Sequence, residues 1–157
     1  MSAVITNPRG AFQQDIDDSL NSLGESITMR AAGAISVGQI IKAVKTTAVV
    51  GGATVDVINA DVATAQTDNV VGVAATAAIA AGDPVSVVVS GPAKVQASGS
   101  SVPTDTGISA GASGQVAAAT VGTFGTRKTL GFTLEATGTT AGALKWVWVA
   151  PGLTYAS

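Results

Sequence analysis

The sequence predicts an all-β protein, either a β-sandwich or a small β-barrel-like domain, preceded by an N-terminal arm. Alanine, valine, threonine and glycine supply more than half of the 157 residues, and valine and threonine favour the pleated surface of a sheet. Val-rich and Ile-rich runs alternate with Gly, Pro, Asp and Asn, as in antiparallel β-proteins. One sequence pattern also occurs twice, as NVVGVAATAAIAAGDPVSVVVSGPAKVQA from Asn69 and as KTLGFTLEATGTTAGALKWVWVAPG from Lys128. We interpret each copy as a strand-turn-strand unit that pairs with others to close one domain.

The first 30 residues form the arm, and residues 31–157 form the β domain. The arm holds four of the ten Asp and Glu residues of the chain, together with apolar residues spaced by four, four, three and four positions. Such spacing predicts one stripe of a short amphipathic helix, which either packs on its own body or docks on a partner. The stripe consists of Phe12, Ile16, Leu20, Leu23 and Ile27.

The β domain divides into seven predicted strands. They span residues 38–50, 53–59, 69–76, 84–97, 115–121, 129–135 and 143–150. The Ala-rich tract from Ala74 to Gly82 is interpreted as a strand end plus a turn, because its counterpart from Thr133 to Gly142 contains Thr-Gly-Thr-Thr, a poor helix. The Ser/Gly/Thr-rich stretch between Ala97 and Gly114 is predicted to be an exposed loop.

Two features of the β domain have predicted structural roles: a recurring glycine and a pair of tryptophans. A short phrase ending in glycine recurs four times, and its glycines are predicted to form turns that launch strands, because glycine adopts positive φ without steric cost. These glycines are Gly38, Gly82, Gly111 and Gly142. In the last strand, Trp146 and Trp148 alternate with valine, so both point to one face, which is either the core or a subunit interface.

The composition argues against most kinds of catalytic and metal site. The chain has no histidine and no cysteine, so no catalytic site, metal site or cofactor is predicted. Asp15, Asp17 and Asp18 cluster in the arm, but no glycine and no distal glutamate complete a calcium loop there. A net charge of −2 with scattered basic residues gives no reason to expect nucleic acid. No signal peptide and no 18-residue apolar stretch is recognisable, so we expect no membrane association.

The β domain is also poor in large side chains. Charged residues are 11% of the chain and aromatic residues 4%, so the core is thin and gains from contact with another surface. Gly72 with its Val-rich flank, the Ala-rich tract, AAGDPVSVVVSGPAKVQA from Ala80 and LGFTLEATGTTAGALKWVWV from Leu130 resemble the small decoration proteins of tailed-bacteriophage capsids. These proteins are also called cement or head-stabilising proteins, and the resemblance covers about residues 30 to 150.

The resemblance implies a function. It implies a compact β fold that binds the outer surface of the capsid as homotrimers at three-fold positions and stabilises the shell, after synthesis in the host cytoplasm. The implied partners are the major capsid protein and further copies of the chain, and the implied activity is structural, not enzymatic. The N-terminal segment often makes such contacts in that family, which assigns capsid binding to the arm. The assigned residues are Ile5, Arg9, Phe12, Ile16, Leu20, Leu23, Ile27 and Arg30.

Two other interpretations stay open. A β-rich domain of a phage fibre, tail or adhesin would bind host glycan through exposed aromatic residues, for which Trp146, Trp148 and Tyr155 are the candidates. A carbohydrate lyase or peptidase would need a deep pocket that holds two members of a small set of charged residues. That set consists of Lys45, Asp56, Asp61 and Asp68.

Overall fold

A computed structural model describes residues 24–119 and 128–152, which form nine strands and one short 3-10 turn. The strands are β1 (Glu25–Ala31), β2 (Ile40–Val50), β3 (Ala53–Val62), β4 (Val70–Ala74), β5 (Pro84–Gln96), β6 (Gly107–Ala110), β7 (Val116–Ala118), β8 (Gly131–Thr133) and β9 (Leu144–Val149). The 3-10 turn lies at Ala112–Gly114, between β6 and β7. The all-β prediction is confirmed, and each of the seven predicted strands overlaps an observed one.

Strand β1 was not expected from the sequence. It pairs antiparallel with β5, from Glu25 beside Ser90 to Arg30 beside Pro84. The predicted helix is therefore wrong at Ile27, and the segment from Glu25 to Arg30 belongs to the sheet and not to an arm. Long-range pairing with β5 outweighs the local helical spacing, because short apolar patterns fit either structure until a partner strand is present.

Strand β6 lies inside the predicted exposed loop, and that prediction is also wrong. Val102 and Ile108 are buried in this stretch, and the chain around them is held by two threonine side chains. The Thr137 hydroxyl accepts a hydrogen bond from the Val102 N–H at 2.8 Å. The Thr133 hydroxyl donates to the Pro103 carbonyl oxygen at 2.5 Å and accepts from the Thr106 N–H at 3.0 Å. These side chains satisfy backbone groups that would otherwise need water.

The nine strands form one hydrogen-bonded sheet that closes on itself. Its order is β1-β3-β2-β4-β5-β9-β8-β6-β7, and β1 also pairs with β5. Strands β1 to β4 and residues 84–90 of β5 thus form a closed ring, which we name the first lobe. Residues 91–96 of β5 and strands β6 to β9 form the second lobe. There, a parallel bridge between Ala97 and Val116 brings β7 back to the end of β5. Barrel-like rings joined by one long strand describe the fold better than a sandwich.

The two lobes repeat the same backbone pattern. Ala31 exchanges backbone hydrogen bonds of 2.8 Å with the turn at 82–83, and Ala97 exchanges equivalent bonds of 2.8 and 2.9 Å with the turn at 142–143. Ala31 also lies in parallel register with Ala60, as Ala97 does with Val116. The repeated sequence therefore forms β4 and β5 in the first lobe and β8 and β9 in the second, and the backbone pattern of the whole lobe is repeated with it.

Glycines at two equivalent positions permit close strand crossings. A Cβ atom at Gly72 would overlap the carbonyl oxygen of Val88, and one at Gly131 would overlap that of Trp148.

Three of the four glycines predicted to form turns do so. Gly38, Gly82 and Gly142 have φ between 78° and 92°, and each lies two residues before a strand. The prediction is wrong for Gly111, whose φ is −101°, because positive φ falls on Ser113 and Gly114 instead.

The core has two clusters. One fills the first lobe and includes Ile41, Val85 and Val87. The other fills the second lobe with residues such as Val147 and Val149, and it also takes in residues from the outer surface of the first lobe. The lobes therefore share apolar surface, which offsets the small volume of their side chains.

Candidate functional site

Strand β9 carries apolar side chains on both of its sides. Val147 and Val149 are fully buried, and they point inward. The alternate residues Leu144, Trp146 and Trp148 point to the opposite side of the strand. Trp146 is 8% exposed and Trp148 is 37% exposed. Of the two locations predicted for the tryptophans, the structure places Trp148 outside the core of the single chain.

Trp148 belongs to a row of apolar residues that crosses three strands. It lies opposite Pro92 of β5 on one side and opposite Phe132 of β8 on the other. Phe132 is exposed to the same extent as Trp148. We call Phe132, Trp146, Trp148 and Leu144, together with Pro92, the aromatic face. Directly opposite residues have neighbouring side chains, so Phe132 and Trp148 form a cross-strand aromatic pair.

Trp146 is fixed by charged neighbours. The Lys94 Nζ lies 4.9 Å from the centre of the Trp146 ring, which is a cation–π contact. The Trp146 backbone N–H donates to Glu135 Oε1 at 2.8 Å, and Glu135 Oε2 lies 3.6 Å from the Lys145 Nζ. The buried tryptophan is therefore held by contacts of both its backbone and its ring.

The first lobe has a face that is equivalent to the aromatic face of the second lobe. The equivalent of the Phe132–Trp148 pair in the first lobe is the pair Val73 and Val88, which lie opposite each other across β4 and β5. Val73 is buried in the cluster that fills the second lobe, and Val88 packs against that cluster. The first lobe thus has its outer face covered by the second lobe. Within the described residues, the equivalent face of the second lobe keeps Phe132 and Trp148 exposed.

A groove joins the aromatic face to the start of β1. It has a volume of about 380 Å³, and Pro92, Lys94 and Leu144 form one side of it. Gly24 and Ser26 form another side, so the chain enters the described structure beside the aromatic face. Gly24 fits closely here, because a Cβ atom would lie 3.3 Å from the Pro92 carbonyl oxygen. The described part of the chain therefore begins beside this face.

The predicted arm residues are divided between two regions. Ile27 and Arg30 lie in β1, where Ile27 is exposed on the strand surface. The other assigned residues lie outside the described part of the chain: Ile5, Arg9, Phe12, Ile16, Leu20 and Leu23. Tyr155 also lies outside it. Phe132 was not selected from the sequence, although alignment of the two repeated phrases sets it at the position of Val73 and could have identified it.

The charged residues considered for catalysis are spread over the first lobe. Lys45 and Asp56 form an exposed ion pair of 2.7 Å, and Asp68 lies 3.5 Å from the Lys42 Nζ. None of the four candidate residues, Asp61 included, lines the groove beside the aromatic face. Among residues 24–119 and 128–152, no group of three acidic, histidine or cysteine side chains is placed to hold a metal ion.

Asp68 closes the loop between β3 and β4. Its Oδ2 accepts hydrogen bonds from the Thr64 N–H at 2.7 Å and from the Ala65 N–H at 3.1 Å. Burial favours the neutral acid and raises the pKa of Asp68, but these hydrogen bonds and the charge of Lys42 together outweigh burial. The pKa of Asp68 therefore lies below its ordinary value, and the carboxylate acts as a structural anchor.

Comparison with protein-family models finds no match for the chain, and comparison with curated protein sequences finds no significant similarity. None of the helices in the described residues is long and apolar enough to cross a membrane. The protein thus has an all-β fold, and an apolar face at one end of its two-lobe body is the most developed feature of the described surface.

Proposed function

We propose that this protein is a structural virion protein that binds the outer surface of a tailed-phage capsid as trimers and stabilises the shell. One observation carries the proposal: the second lobe leaves exposed the face that the first lobe buries, and the N-terminal chain starts beside it. An apolar face of this kind marks a surface that gains free energy from a protein partner. The resemblance to capsid decoration proteins indicates that this partner is the major capsid protein.

The chemistry of the face suits protein–protein contact. Tryptophan and phenylalanine are enriched at interfaces, and each buries a large area with few rotatable bonds. Lys94 and Lys145 lie beside the aromatic face, and both are held by partners within the chain. Contacts of modest strength at many equivalent lattice positions then sum to a strong total through multivalency.

A glycan-binding fibre, tail or adhesin domain is the second candidate. The observation that favours it is the exposure of Trp148 and Phe132 in one row, since sugar rings stack on exposed aromatic side chains. The two candidates use the same face, so they are separated by the ligand that it binds and not by the residues involved.

The deciding experiment is co-sedimentation of the full chain with expanded, undecorated phage shells. The wild type is expected to bind saturably, near one copy per capsid-protein subunit. Trp148→Ala is expected to weaken binding at least tenfold. Val49→Ala serves as a matched control, because it removes an exposed apolar side chain from the first lobe, far along β2 from the aromatic face.

Failure of the wild type to bind shells, together with binding to a glycan array that Trp148→Ala abolishes, would overturn the capsid proposal in favour of the second candidate. Equal binding of shells by Trp148→Ala and the wild type would remove the aromatic face from the capsid contact.

A further inference from the structure

Two members of the aromatic face are buried, although they lie on the side of the sheet that points away from the core. Trp146 alternates with the core residue Val147, yet it is only 8% exposed. Pro92, which lies opposite Trp148 and shares its side of the sheet, is also buried. Leu144 and Trp148, the neighbours of Trp146 in the same row, are 44% and 37% exposed. The face is therefore covered over one part of its length and open over the rest.

The covered part borders the groove at which the described chain begins. We call it the entry groove; Gly24, Val37, Pro92, Lys94 and Leu144 are among the residues that line it. Its volume of about 380 Å³ lies in the range of clefts that hold ligands, roughly 300 to 1,000 Å³. Lys94 is the only charged residue in the described part of its lining. An occupant that suits this groove is therefore apolar and carries a negative charge at one point.

The backbone of β1 leads out of the described structure at this groove. Glu25 lies beside Ser90, and the pairing of β5 with β9 starts at the next residue, Gly91. A Cβ atom at Gly24 would lie 3.3 Å from the carbonyl oxygen of Pro92, so the backbone there is in contact with β5. The chain that precedes Gly24 therefore starts against a buried residue of the aromatic face.

The preceding chain is long enough to cross the groove. From Pro92 to the residue opposite Leu144, β5 advances four residues, which is about 13 Å at about 3.3 Å per residue. Leu20, four residues before Gly24, reaches about 13 Å as extended chain and about 6 Å as the predicted helix. Leu20 and Leu23 therefore fall within the length of the groove in either conformation.

The same residues carry the chemistry that the groove suits. Leu20 and Leu23 belong to the apolar stripe of the segment. Three aspartates closely precede these leucines: Asp15, Asp17 and Asp18. Acidic and apolar side chains in one segment match a lining that is apolar except for Lys94, and opposite charges attract more strongly beside a low-dielectric surface than in open water. The charges, the apolar surface and the point of entry thus all favour a segment of the chain itself as the occupant.

We propose that residues 12–23 dock in the entry groove of their own chain and cover Trp146. Leu20 and Leu23 pack on the apolar lining, and an aspartate of the segment lies beside Lys94. Attachment to β1 favours the contact, because a short tether gives the segment an effective concentration on the order of millimolar at the groove, so that weak contacts suffice.

The apolar stripe then packs on its own body, which is one of the two alternatives that its spacing predicts. Phe132 and Trp148 stay exposed beside the docked segment, so this contact and the binding of an external partner are compatible. The contact is a property of the free chain and does not rest on the proposed function.

Acrylamide quenching of tryptophan fluorescence in the full chain tests the contact. Trp148→Phe leaves Trp146 as the only tryptophan. In that background Leu20→Lys and Leu23→Lys are each expected to raise the quenching constant at least about twofold, because the exposure of Trp146 should approach the 37% of Trp148. Emission should shift to longer wavelength as well. Asn21→Lys adds the same charge beside the stripe but not on it, so it is the matched control and should change neither quantity.

Circular dichroism establishes that each variant keeps the β fold, so that a rise in quenching is not loss of structure. Unchanged quenching in both leucine variants would overturn the proposal, because the described residues alone would then bury Trp146. An equal rise in Asn21→Lys would also overturn it, since the effect would come from the added charge and not from a lost apolar contact.

Cross-linking shows whether the segment that fills the groove comes from the same chain, because the protein has no cysteine of its own. Leu20→Cys combined with Leu144→Cys, treated with a bifunctional thiol reagent, should give an internally linked monomer at a rate independent of protein concentration. Leu20→Cys combined with Val49→Cys, far along β2 in the first lobe, is the control and should stay unlinked. Products linked only between chains would place the segment on a neighbouring copy and overturn the proposal. A chain that passes both tests but does not bind shells would contradict only the proposed function.

Discussion

Phe132 lies directly opposite Trp148 across β8 and β9, in the place that Val73 and Val88 occupy across β4 and β5. The valine pair is covered by the second lobe, and the aromatic pair is exposed in the single chain. The two lobes are therefore stacked in one direction, and the aromatic pair marks the free end of the stack. A larger side chain at the free end provides more area for an external partner than valine does.

Substitution of the two tryptophans separates stability from binding. Trp146→Ala is expected to reduce the free energy of unfolding by about 3 kcal/mol or more, because the ring is buried and packed under Lys94. Trp148→Ala is expected to cost only about 1 kcal/mol, since it removes one partner of an exposed aromatic pair. Urea denaturation measures both. A larger loss for Trp148→Ala than for Trp146→Ala would contradict the finding that Trp146 is the more buried of the two rings.

Gly72→Ala tests the close crossing of β4 and β5. The added methyl group would overlap the carbonyl oxygen of Val88, and backbone atoms cannot move aside as a flexible side chain can. We expect a loss of more than about 3 kcal/mol, at or beyond the usual range for overpacking. Gly33→Ala is the control, because nothing lies within 4 Å of its Cβ position, and it should change stability by less than about 0.5 kcal/mol. Thermal melting of both variants checks the prediction, which equal melting temperatures would refute.

Asp68 should make stability depend on pH. Its pKa is lower in the folded chain than in the unfolded chain, so its contribution is fully present above the unfolded value of about 4 and is lost as pH falls through the folded value. At pH 7, Asp68→Asn is expected to be less stable than the wild type by about 1 to 2 kcal/mol. The gap in melting temperature should be constant between pH 7 and 5 and should narrow below about pH 4. A gap of the same size at pH 2.5 would show that the charge of Asp68 is not the cause.

Two truncations test where the sheet begins. Removal of residues 1–23 leaves β1 intact, so the body should keep its fold and its melting temperature should change by only a few degrees. Removal of residues 1–31 deletes β1, whose pairing with β5 closes the first lobe and whose Ala31 lies in its core. This longer truncation should unfold or aggregate, as judged by circular dichroism and light scattering. A stably folded protein without residues 1–31 would show that ring closure is dispensable.

Much of the architecture could be predicted locally. Strands β2, β3, β4, β5, β7, β8 and β9 were predicted because each overlaps one of the apolar runs that Gly, Pro, Asp and Asn separate along the chain. Strand β1 was missed because Ile27 fits both a helical stripe and a strand, and β6 because Ile108 is its main hydrophobic residue among serine and glycine. In both cases the strand is stabilised by partners distant in sequence, which local spacing does not reveal.

The candidate surfaces were predicted less well than the strands. The alternation of side chains along β9 predicted that Trp146 and Trp148 share one face. Val147 and Val149 make the other face apolar as well, so the sequence did not show which of the two faces packs against the core. Ile79 lay within an Ala-rich tract correctly interpreted as a turn, yet its exposure depends on how the turn at 82–83 bonds to Ala31.

The sequence by itself determined the β class, the repeated unit and the lack of histidine and cysteine chemistry, because these depend on composition and on spacing along the chain. Only the tertiary structure decided which apolar residues remain exposed, because burial depends on which segments meet. The same strand-turn-strand phrase buries Val73 in one lobe and exposes Phe132 in the other, and that difference arises from the position of each copy in the stack.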